Sequence, residues 1–317
     1  MRRRLLKRNK LFFLETSTAS SDVQNKIKAN RKLIFFLIAI LAIIWGSSFI
    51  MIKRGLDVYT PAQVGAIRVF SAFLCVFPFA VMQFRKVGKA KWKFLLATGL
   101  LGNGIPAILF PLAQTNISSS VAGMINAMTP LFTMIVGVAF FGMLGGRNRI
   151  VGLIIGLAGT LILISGKNAT MENGNPWFAG FIVLATVCYA FSVNILRYRL
   201  AELGSVVITG FALMFAGIPM GVYLFSTDFV QRTTEVPGAA KSLTAVLILG
   251  VFSTAISSVL FNSLIKRAGA LSASSVTYLI PIVAMMWGVY DHENLGFIHL
   301  MGLGAILGGV YLINKRK

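Results

Sequence analysis

The sequence predicts an all-α integral membrane protein whose ten transmembrane helices form two inverted five-helix repeats. Three observations support this prediction: a strongly apolar composition, apolar stretches of bilayer length, and an internal repeat. Of the 317 residues, 56% are hydrophobic and 12% are charged, and the mean hydropathy is +0.81. Soluble domains carry about 25% charged residues. The composition therefore excludes an ordinary soluble domain.

The formal net charge of +21 does not indicate a nucleic-acid partner. The Lys and Arg residues lie between long apolar stretches, and no basic face interleaved with aromatic residues is present. Cys75 and Cys188 both lie within apolar stretches, where a cysteine is most simply a small buried hydrophobe. His292 and His299 are the only histidines, too few for a histidine-based metal site. We predict no metal and no cofactor.

Apolar stretches set the order of the elements, because a bilayer core requires about 20 mostly apolar residues per helix. Ten stretches meet this requirement: 33–52, 61–83, 94–112, 119–142, 150–166, 177–196, 204–225, 242–264, 271–290 and 298–314. The connections between them are short, which predicts one helical bundle without a soluble domain. Residues 1–32, basic and then rich in Ser and Thr, are predicted to form a disordered cytoplasmic arm.

The distribution of basic residues predicts that both termini are cytoplasmic. Of the 30 Lys and Arg residues, 24 fall on the side of the N-terminal arm, five fall on the opposite side, and Arg68 lies within a span. Cytoplasmic loops carry the excess of basic residues. Lys53 and Arg54 then lie at the outer end of the first span. They either extend to the outer headgroups, the favoured interpretation, or form an electropositive mouth for an anionic or zwitterionic solute.

The second half of the chain repeats the first. Residues 118–142 resemble 270–293, and the glycine-rich stretch 152–165 resembles 302–315, at an offset of 150 or 151 residues. With five spans per half, an odd number, the repeat at 177–314 must enter the membrane inverted relative to the repeat at 33–166. Inverted repeats with a solute site at their interface are typical of secondary transporters.

Each half also has a proline well inside a span, Pro130 and Pro281. A proline leaves a carbonyl of the preceding turn unpaired. The neighbouring Asn126 and Tyr278 could serve those carbonyls or a solute, and a purely structural kink is an equally weighted alternative.

Several features in a fixed order extend these observations: Trp45-Gly46-Ser47-Ser48-Phe49, Pro61 followed by Arg68, LIKRAGALSASSVTYLIPIVA at 264–284, Glu293 nine residues before Gly302, and the glycine-rich tenth span. With them, the chain resembles an EamA-type permease of the drug/metabolite transporter superfamily over roughly residues 33–314. The resemblance implies ten helices and a small solute crossing the bacterial inner (cytoplasmic) membrane. It also implies an acid nine residues before Gly152, where this chain has Met143.

Arg68 is the sharpest single signal for a site, because a charge inside a span is costly and is by default a functional hypothesis. It lies about 10 Å beyond Pro61 at 1.5 Å per residue. No Asp or Glu lies clearly within a span to pair with it. Arg68 is therefore either a structural clamp or a charge that faces the solute.

Other candidates follow from a recurring pattern in which an aromatic residue precedes small and polar ones. The pattern occurs at Trp45–Ser48 and again at Tyr189–Asn194, which favours a shared cavity wall over the alternative of simple helix packing. The full set of predicted solute-binding residues is Trp45, Ser47, Ser48, Arg68, Asn103, Phe110, Asn126, Tyr189, Ser192, Asn194, Phe261, Asn262, Tyr278 and Trp287.

Two glycine pairs and one acidic segment have alternative interpretations. Gly152-xxx-Gly156 and Gly304-xxx-Gly308 could pack the fifth span against the tenth or hold a homodimer together. Asp291-His292-Glu293 is most simply a solvated loop at the outer end of the ninth span, with a gating or proton-sensing role as the alternative.

These features predict a secondary transporter that moves a small metabolite or drug-like solute by alternating access. Its predicted partners are that solute and the lipid bilayer. An intramembrane enzyme would need paired acids, a Ser/His constellation or a metal cluster, and the sequence contains neither GxGD nor HExxH. A receptor or scaffold remains a further alternative, for which an inverted repeat is not required.

Overall fold

The computed structural model describes residues 32–143, 147–165, 175–274, 276–293 and 295–314. Within these ranges the chain forms helices and no β-strand. Seven helices are long and apolar enough to cross a membrane, and three shorter apolar helices accompany them. The arm at 1–31, and with it the prediction of disorder, lies outside the described residues.

Ten apolar helices follow one another along the chain, and each coincides with one of the predicted spans. They are α1 (Lys32–Leu56), α2 (Pro61–Val81), α3 (Lys89–Gln114), α4 (Ser119–Phe141), α5 (Arg147–Ser165), α6 (Pro176–Arg199), α7 (Ser205–Phe225), α8 (Ala239–Arg267), α9 (Val276–Tyr290) and α10 (Phe297–Asn314). A short helix, Phe229–Glu235, connects α7 to α8.

The ninth predicted span begins too early. The backbone helix that contains α8 continues past Arg267 to Ser274, so residues 271–274 belong to it, and α9 itself has 15 residues. Because residues 271–274 are as apolar and small as the start of α9, hydropathy alone does not separate the two helices.

Contacts between connecting segments group the helix ends at two opposite ends of the bundle. At one end, which we call the Lys53 end, Lys53 of α1 meets the segment after α9. Gln63 of α2 donates there to Asp228, which follows α7, at 2.7 Å. At the other end, the Arg199 end, Lys91 of α3 donates to the Arg199 carbonyl of α6 at 2.9 Å. The grouping shows that α1 and α2 run in opposite directions, as short connections require.

The start of α2 shows how local sequence sets a helix boundary. Thr60 Oγ1 accepts from the Gln63 N–H at 3.3 Å, and Gln63 Oε1 accepts from the Thr60 N–H at 3.0 Å. This reciprocal capping box, with Pro61 in the first turn, satisfies N–H groups that have no partner within the helix.

Glycines bring α5 and α10 into close contact. A Cβ added to Gly159 would lie 2.7 Å from the Gly302 carbonyl oxygen, and one added to Gly309 would collide with the backbone at Gly152. These two helices therefore pack backbone to backbone. Gly304, by contrast, has nothing within 4 Å of such a Cβ and faces away from α5.

Candidate functional site: a central cavity with one charge

A cavity of about 180 Å³ lies at the centre of the bundle. Eight helices line it, namely α1, α2, α3, α4, α6, α7, α8 and α9. In the described parts of α5 and α10 no residue reaches it, consistent with the packing of those two helices against each other. The wall combines aromatic rings with hydroxyl and amide groups, as is usual for a small-molecule site.

Two segments of π-helix form facing parts of the wall. They are Leu100–Gly104 in α3 and Val251–Ile256 in α8, and both contribute lining residues. At the repeat offset of 151, Asn103 aligns with Thr254, so the two π-segments occur at equivalent positions of the two sequence repeats. A π-segment disturbs the regular helical bonding and is frequent at functional sites. Here the Ser253 carbonyl accepts from Trp45 Nε1 at 3.1 Å and from the Ser257 hydroxyl at 2.7 Å.

Arg68 extends from α2 into the cavity. Its Nε donates to Thr254 Oγ1 at 2.7 Å, and its guanidinium interacts with the Tyr189 hydroxyl. No Asp or Glu is present among the residues that line the described cavity, and Arg68 is the only Lys or Arg there. A guanidinium has five N–H donors. Thr254 and Tyr189 engage only part of that capacity, and both are neutral, so the positive charge is left uncompensated.

Aromatic side chains supply most of the apolar surface around this charge. Trp45 and Phe261 meet edge to face with ring centroids 4.9 Å apart, and Phe110 stacks on Tyr189 at 6.0 Å. Trp45 is fixed by a second bond, Nε1 to Ser257 Oγ at 2.9 Å. The rings are therefore held in place by their own contacts before any solute enters.

Asn126 shows how the proline of α4 opens the wall. The helix is interrupted between Asn126 and Thr129, and Pro130 follows in the next section. Pro130 cannot donate to the Asn126 carbonyl four residues earlier, and Thr129 Oγ1 donates to that carbonyl instead, at 2.7 Å. The interpretation that the Asn126 side chain serves the freed carbonyl is therefore wrong. Its amide lines the cavity.

Ten of the predicted solute-binding residues line the cavity: Trp45, Ser48, Arg68, Asn103, Phe110, Asn126, Tyr189, Ser192, Phe261 and Asn262. Four do not. Trp287 Nε1 donates to Ser47 Oγ at 2.8 Å, and neither residue lines the cavity. Asn194 is buried and bonds backbone carbonyls of α4 and of its own helix. Tyr278 packs against the core of the bundle.

The physical reason is helical geometry. Successive residues of a helix differ by about 100° around its axis, so Ser48 faces the cavity while its neighbour Ser47 does not. A run of small and polar residues identifies the right turn of the helix but does not identify the face.

Sequence reasoning missed several hydroxyl groups of the wall. Thr98, Thr129, Ser253, Thr254, Ser258 and Thr277 all line the cavity. The sequence repeat could have identified Thr254, since this residue is the repeat counterpart of the predicted site residue Asn103. The Thr98 hydroxyl is buried without a hydrogen-bond partner in the described structure.

At the Lys53 end, a cluster of four charged residues, Lys53, Arg54, Asp291 and Glu293, lies next to the cavity wall. Ile52 lines the cavity, and the adjacent Lys53 binds Asp291 at 2.6 Å and Glu293 at 3.2 Å. Arg54 also pairs with Asp291. Lys53 and Arg54 therefore pair with acids and do not extend freely to lipid headgroups. The side chains of Asp291 and Glu293 are 10% and 6% exposed, so the prediction of a solvated loop is wrong for these two acids, whereas His292 between them is exposed.

Glu293 also caps the start of α4. Its Oε1 accepts from the Ser119 N–H and hydroxyl at 3.0 and 2.6 Å, and its Oε2 accepts from those of Ser120 at 3.0 and 2.5 Å. Burial by itself would raise the pKa of Glu293. The bonds from the two serines and the charge of Lys53 outweigh burial, so the pKa lies below its usual value.

Among the described residues of the Arg199 end, the position equivalent to Glu293 holds Met143. Met143, nine residues before Gly152, has its side chain against Gly137, just as the Glu293 carboxylate lies against the repeat-equivalent Gly288. A thioether cannot hold a cation or cap a helix as a carboxylate can. Positions 143 and 293, which the sequence repeat relates, therefore differ in chemistry. In the described residues no three His, Cys, Asp or Glu side chains come together to hold a metal.

These observations define an all-helical, multi-pass membrane protein built around a polar and aromatic central cavity. Its sequence matches the EamA-like transporter family twice, over residues 32–165 and 176–315. The chain belongs to this family.

Relatives and a solved structure agree with this assignment. An Escherichia coli K12 protein named uncharacterized inner membrane transporter YedA is 29% identical, covering 87% of this chain and 89% of its own. A Salmonella typhimurium protein named probable amino-acid metabolite efflux pump is 22% identical, covering 87% and 93%. A solved structure superposes with a TM-score of 0.61 at 16% identity, covering 89% of this chain and 96% of the other, and so shares the fold.

Proposed function

We propose that this protein is a secondary transporter of the bacterial inner membrane that moves a small metabolite or drug-like solute by alternating access through the central cavity. The observation that carries the proposal is the cavity itself: a preformed polar and aromatic site inside a bundle of membrane helices. The family and the relatives named as inner membrane transporters support it.

The proposed architecture is ten membrane-spanning helices in two inverted five-helix repeats, 33–166 and 177–314. The two separate matches to one family model support it, as do the equivalent π-segments of α3 and α8. The excess of Lys and Arg supports a cytoplasmic location for the Arg199 end and both termini. On this orientation the charge cluster at Lys53, Asp291 and Glu293 closes the outer side of the cavity.

Of the two glycine pairs, Gly152 and Gly156 belong to the α5–α10 contact, where Gly309 approaches both of them. Gly304 and Gly308 have nothing within 4 Å of an added Cβ. If the protein forms a homodimer, the exposed face of α10 that carries these two glycines is the surface we propose for it.

Solute flux tests the proposal directly. Purified protein in proteoliposomes is expected to exchange labelled solutes drawn from amino acids, nucleosides, sugars and organic acids, and Arg68→Ala is expected to reduce the initial rate about tenfold or more, because it removes the only charge of the cavity. Arg85→Ala, at an exposed residue outside the cavity, is the matched control and is expected to transport normally. Absence of flux across the whole panel, or wild-type flux by a folded Arg68→Ala protein, would contradict the proposal.

A further inference from the structure

The charge balance of the cavity identifies a class of solute. Arg68 carries the only formal charge among the described lining residues, and none of its observed partners is acidic. An ionised group inside a membrane protein is costly unless it is paired. The described lining residues supply no acidic partner, and an anionic solute is a species that would supply one.

The geometry of the Arg68 guanidinium favours a carboxylate as the anionic group. Thr254 fixes Arg68 through Nε, which leaves the terminal N–H groups to face Tyr189 and the cavity. A planar guanidinium binds a carboxylate through two parallel N–H···O bonds.

The rest of the wall selects against a second charge on the solute. Trp45, Phe110 and Phe261 present ring surface. A cationic ammonium group would find no carboxylate among the described lining residues and would be repelled by Arg68. A zwitterion or an amine is therefore disfavoured relative to a simple acid of the same shape.

The cavity volume limits the size of the apolar part. An apolar cavity of about 150 Å³ holds a benzene molecule, and this cavity measures about 180 Å³. One ring with a short chain is the largest solute that fits without movement of the helices.

We infer that the transported solute is a small organic monoanion, a carboxylate on an apolar or aromatic body, bound through its carboxylate by Arg68. This inference rests on the proposed function, since it names the substrate class of the same cavity. It separates the chain from a transporter of free amino acids, whose ammonium group has no counterpart in the described wall.

Four probes of similar shape test the inference on the wild-type protein: 3-phenylpropanoate, phenylalanine, 2-phenylethylamine and 3-phenylpropan-1-ol. In detergent, the anion is expected to raise the melting temperature at concentrations at least about tenfold lower than the other three require. In proteoliposomes only the anion is expected to compete strongly for uptake. A stronger effect of phenylalanine, the amine or the alcohol would overturn the inference.

Two variants assign the binding to Arg68. Arg68→Gln, close in size and neutral, is expected to abolish the preference for 3-phenylpropanoate, whereas Arg68→Lys is expected to keep part of it because the charge remains without bidentate geometry. Arg85→Gln is the control for loss of a positive charge outside the cavity and is expected to bind as wild type. A preference that survives in folded Arg68→Gln would overturn the assignment.

The two proposals fail in different ways. Stabilisation by 3-phenylpropanoate without flux of any solute would contradict transport and leave the binding inference intact. Flux of an amine or a neutral solute, with no response to the anion, would contradict the substrate class and leave transport intact.

Discussion

Arg68 and Glu293 are both ionisable residues inside the bundle, but they differ in the charge of their partners. Glu293 has Lys53 and four donors from Ser119 and Ser120. Arg68 has only neutral partners, Thr254 and Tyr189. A fully paired charge fixes structure, whereas a charge with neutral partners keeps its attraction for a ligand. This contrast is why we assign closure to Glu293 and solute binding to Arg68.

The lowered pKa of Glu293 predicts how stability depends on pH. Because the folded-state pKa lies below the unfolded one, which is about 4.3 for Glu, the contribution is complete above that value and is lost as pH falls through the folded-state pKa. The melting temperature of the wild type should therefore exceed that of Glu293→Gln by a constant amount from about pH 8 to pH 5, and the difference should shrink in more acidic buffer.

Glu202→Gln serves as the control for this measurement. Glu202 is an acid at the Arg199 end with 64% of its side chain exposed, paired with Lys91. Its removal is expected to change the melting temperature little, since exposed ion pairs contribute little. A wild-type advantage over Glu293→Gln that grows on acidification would contradict the assigned direction.

The helices divide into those that line the cavity and those that support it. The α3 and α8 helices carry the π-segments of the wall, whereas α5 and α10 contribute no lining residue in their described parts and pack mainly against each other. Glycine is needed where two helix backbones meet, and Gly309 is such a position.

The contact between α5 and α10 predicts different outcomes for two glycines of the same helix. Gly309→Ala is expected to lower the melting temperature by several degrees, because its Cβ would collide with the backbone of α5 at Gly152 and Gly156, and overpacking costs about 1–3 kcal/mol. Gly304→Ala adds the same methyl group where nothing lies within 4 Å and should be neutral. Equal effects of the two variants would show that the backbone contact does not limit stability.

Across the whole bundle, the asymmetry between Glu293 and Met143 has a functional consequence. An acid links α1, α4 and the segment after α9 at the Lys53 end, and a thioether stands at the equivalent position near the Arg199 end. Under the proposed alternating access, opening the Lys53 end breaks these ionic contacts, whereas the acid among the described residues at the Arg199 end, Glu202, is exposed and pairs with Lys91. We therefore expect the Lys53 end to be the side whose opening is limited by electrostatics.

Thiol accessibility tests this closure. In a protein without Cys75 and Cys188, a Ser48→Cys reporter lies in the cavity wall five residues before Lys53. A membrane-impermeant thiol reagent added outside should modify it slowly, and Glu293→Gln should raise the rate several-fold by releasing the start of α4. Glu235→Gln, at an exposed acid of the same end, is the control. Unchanged modification in Glu293→Gln would argue against closure by this cluster.

Much of the fold could be predicted because hydropathy is a local property. All ten apolar stretches coincide with helices, and the error at α9 concerns a boundary between two apolar segments. The site was predictable in part. Arg68 and Asn103 stood out as polar groups within apolar runs, whereas Thr254 did not, since a single threonine costs little in a membrane helix and carries no charge.

The amino-acid sequence by itself determined the apolar helices, the excess of positive charge on one side and the repeat that relates the two halves, because each of these depends on residues close in the chain or on direct comparison of its halves. Only the tertiary structure decided which polar groups meet. Lys53 and Glu293 are 240 residues apart, and Arg68 and Thr254 are 186 apart. Pairing over such separations depends on helix rotation and packing, which neither hydropathy nor spacing specifies, and that pairing distinguishes the closing cluster from the charge left to bind a solute.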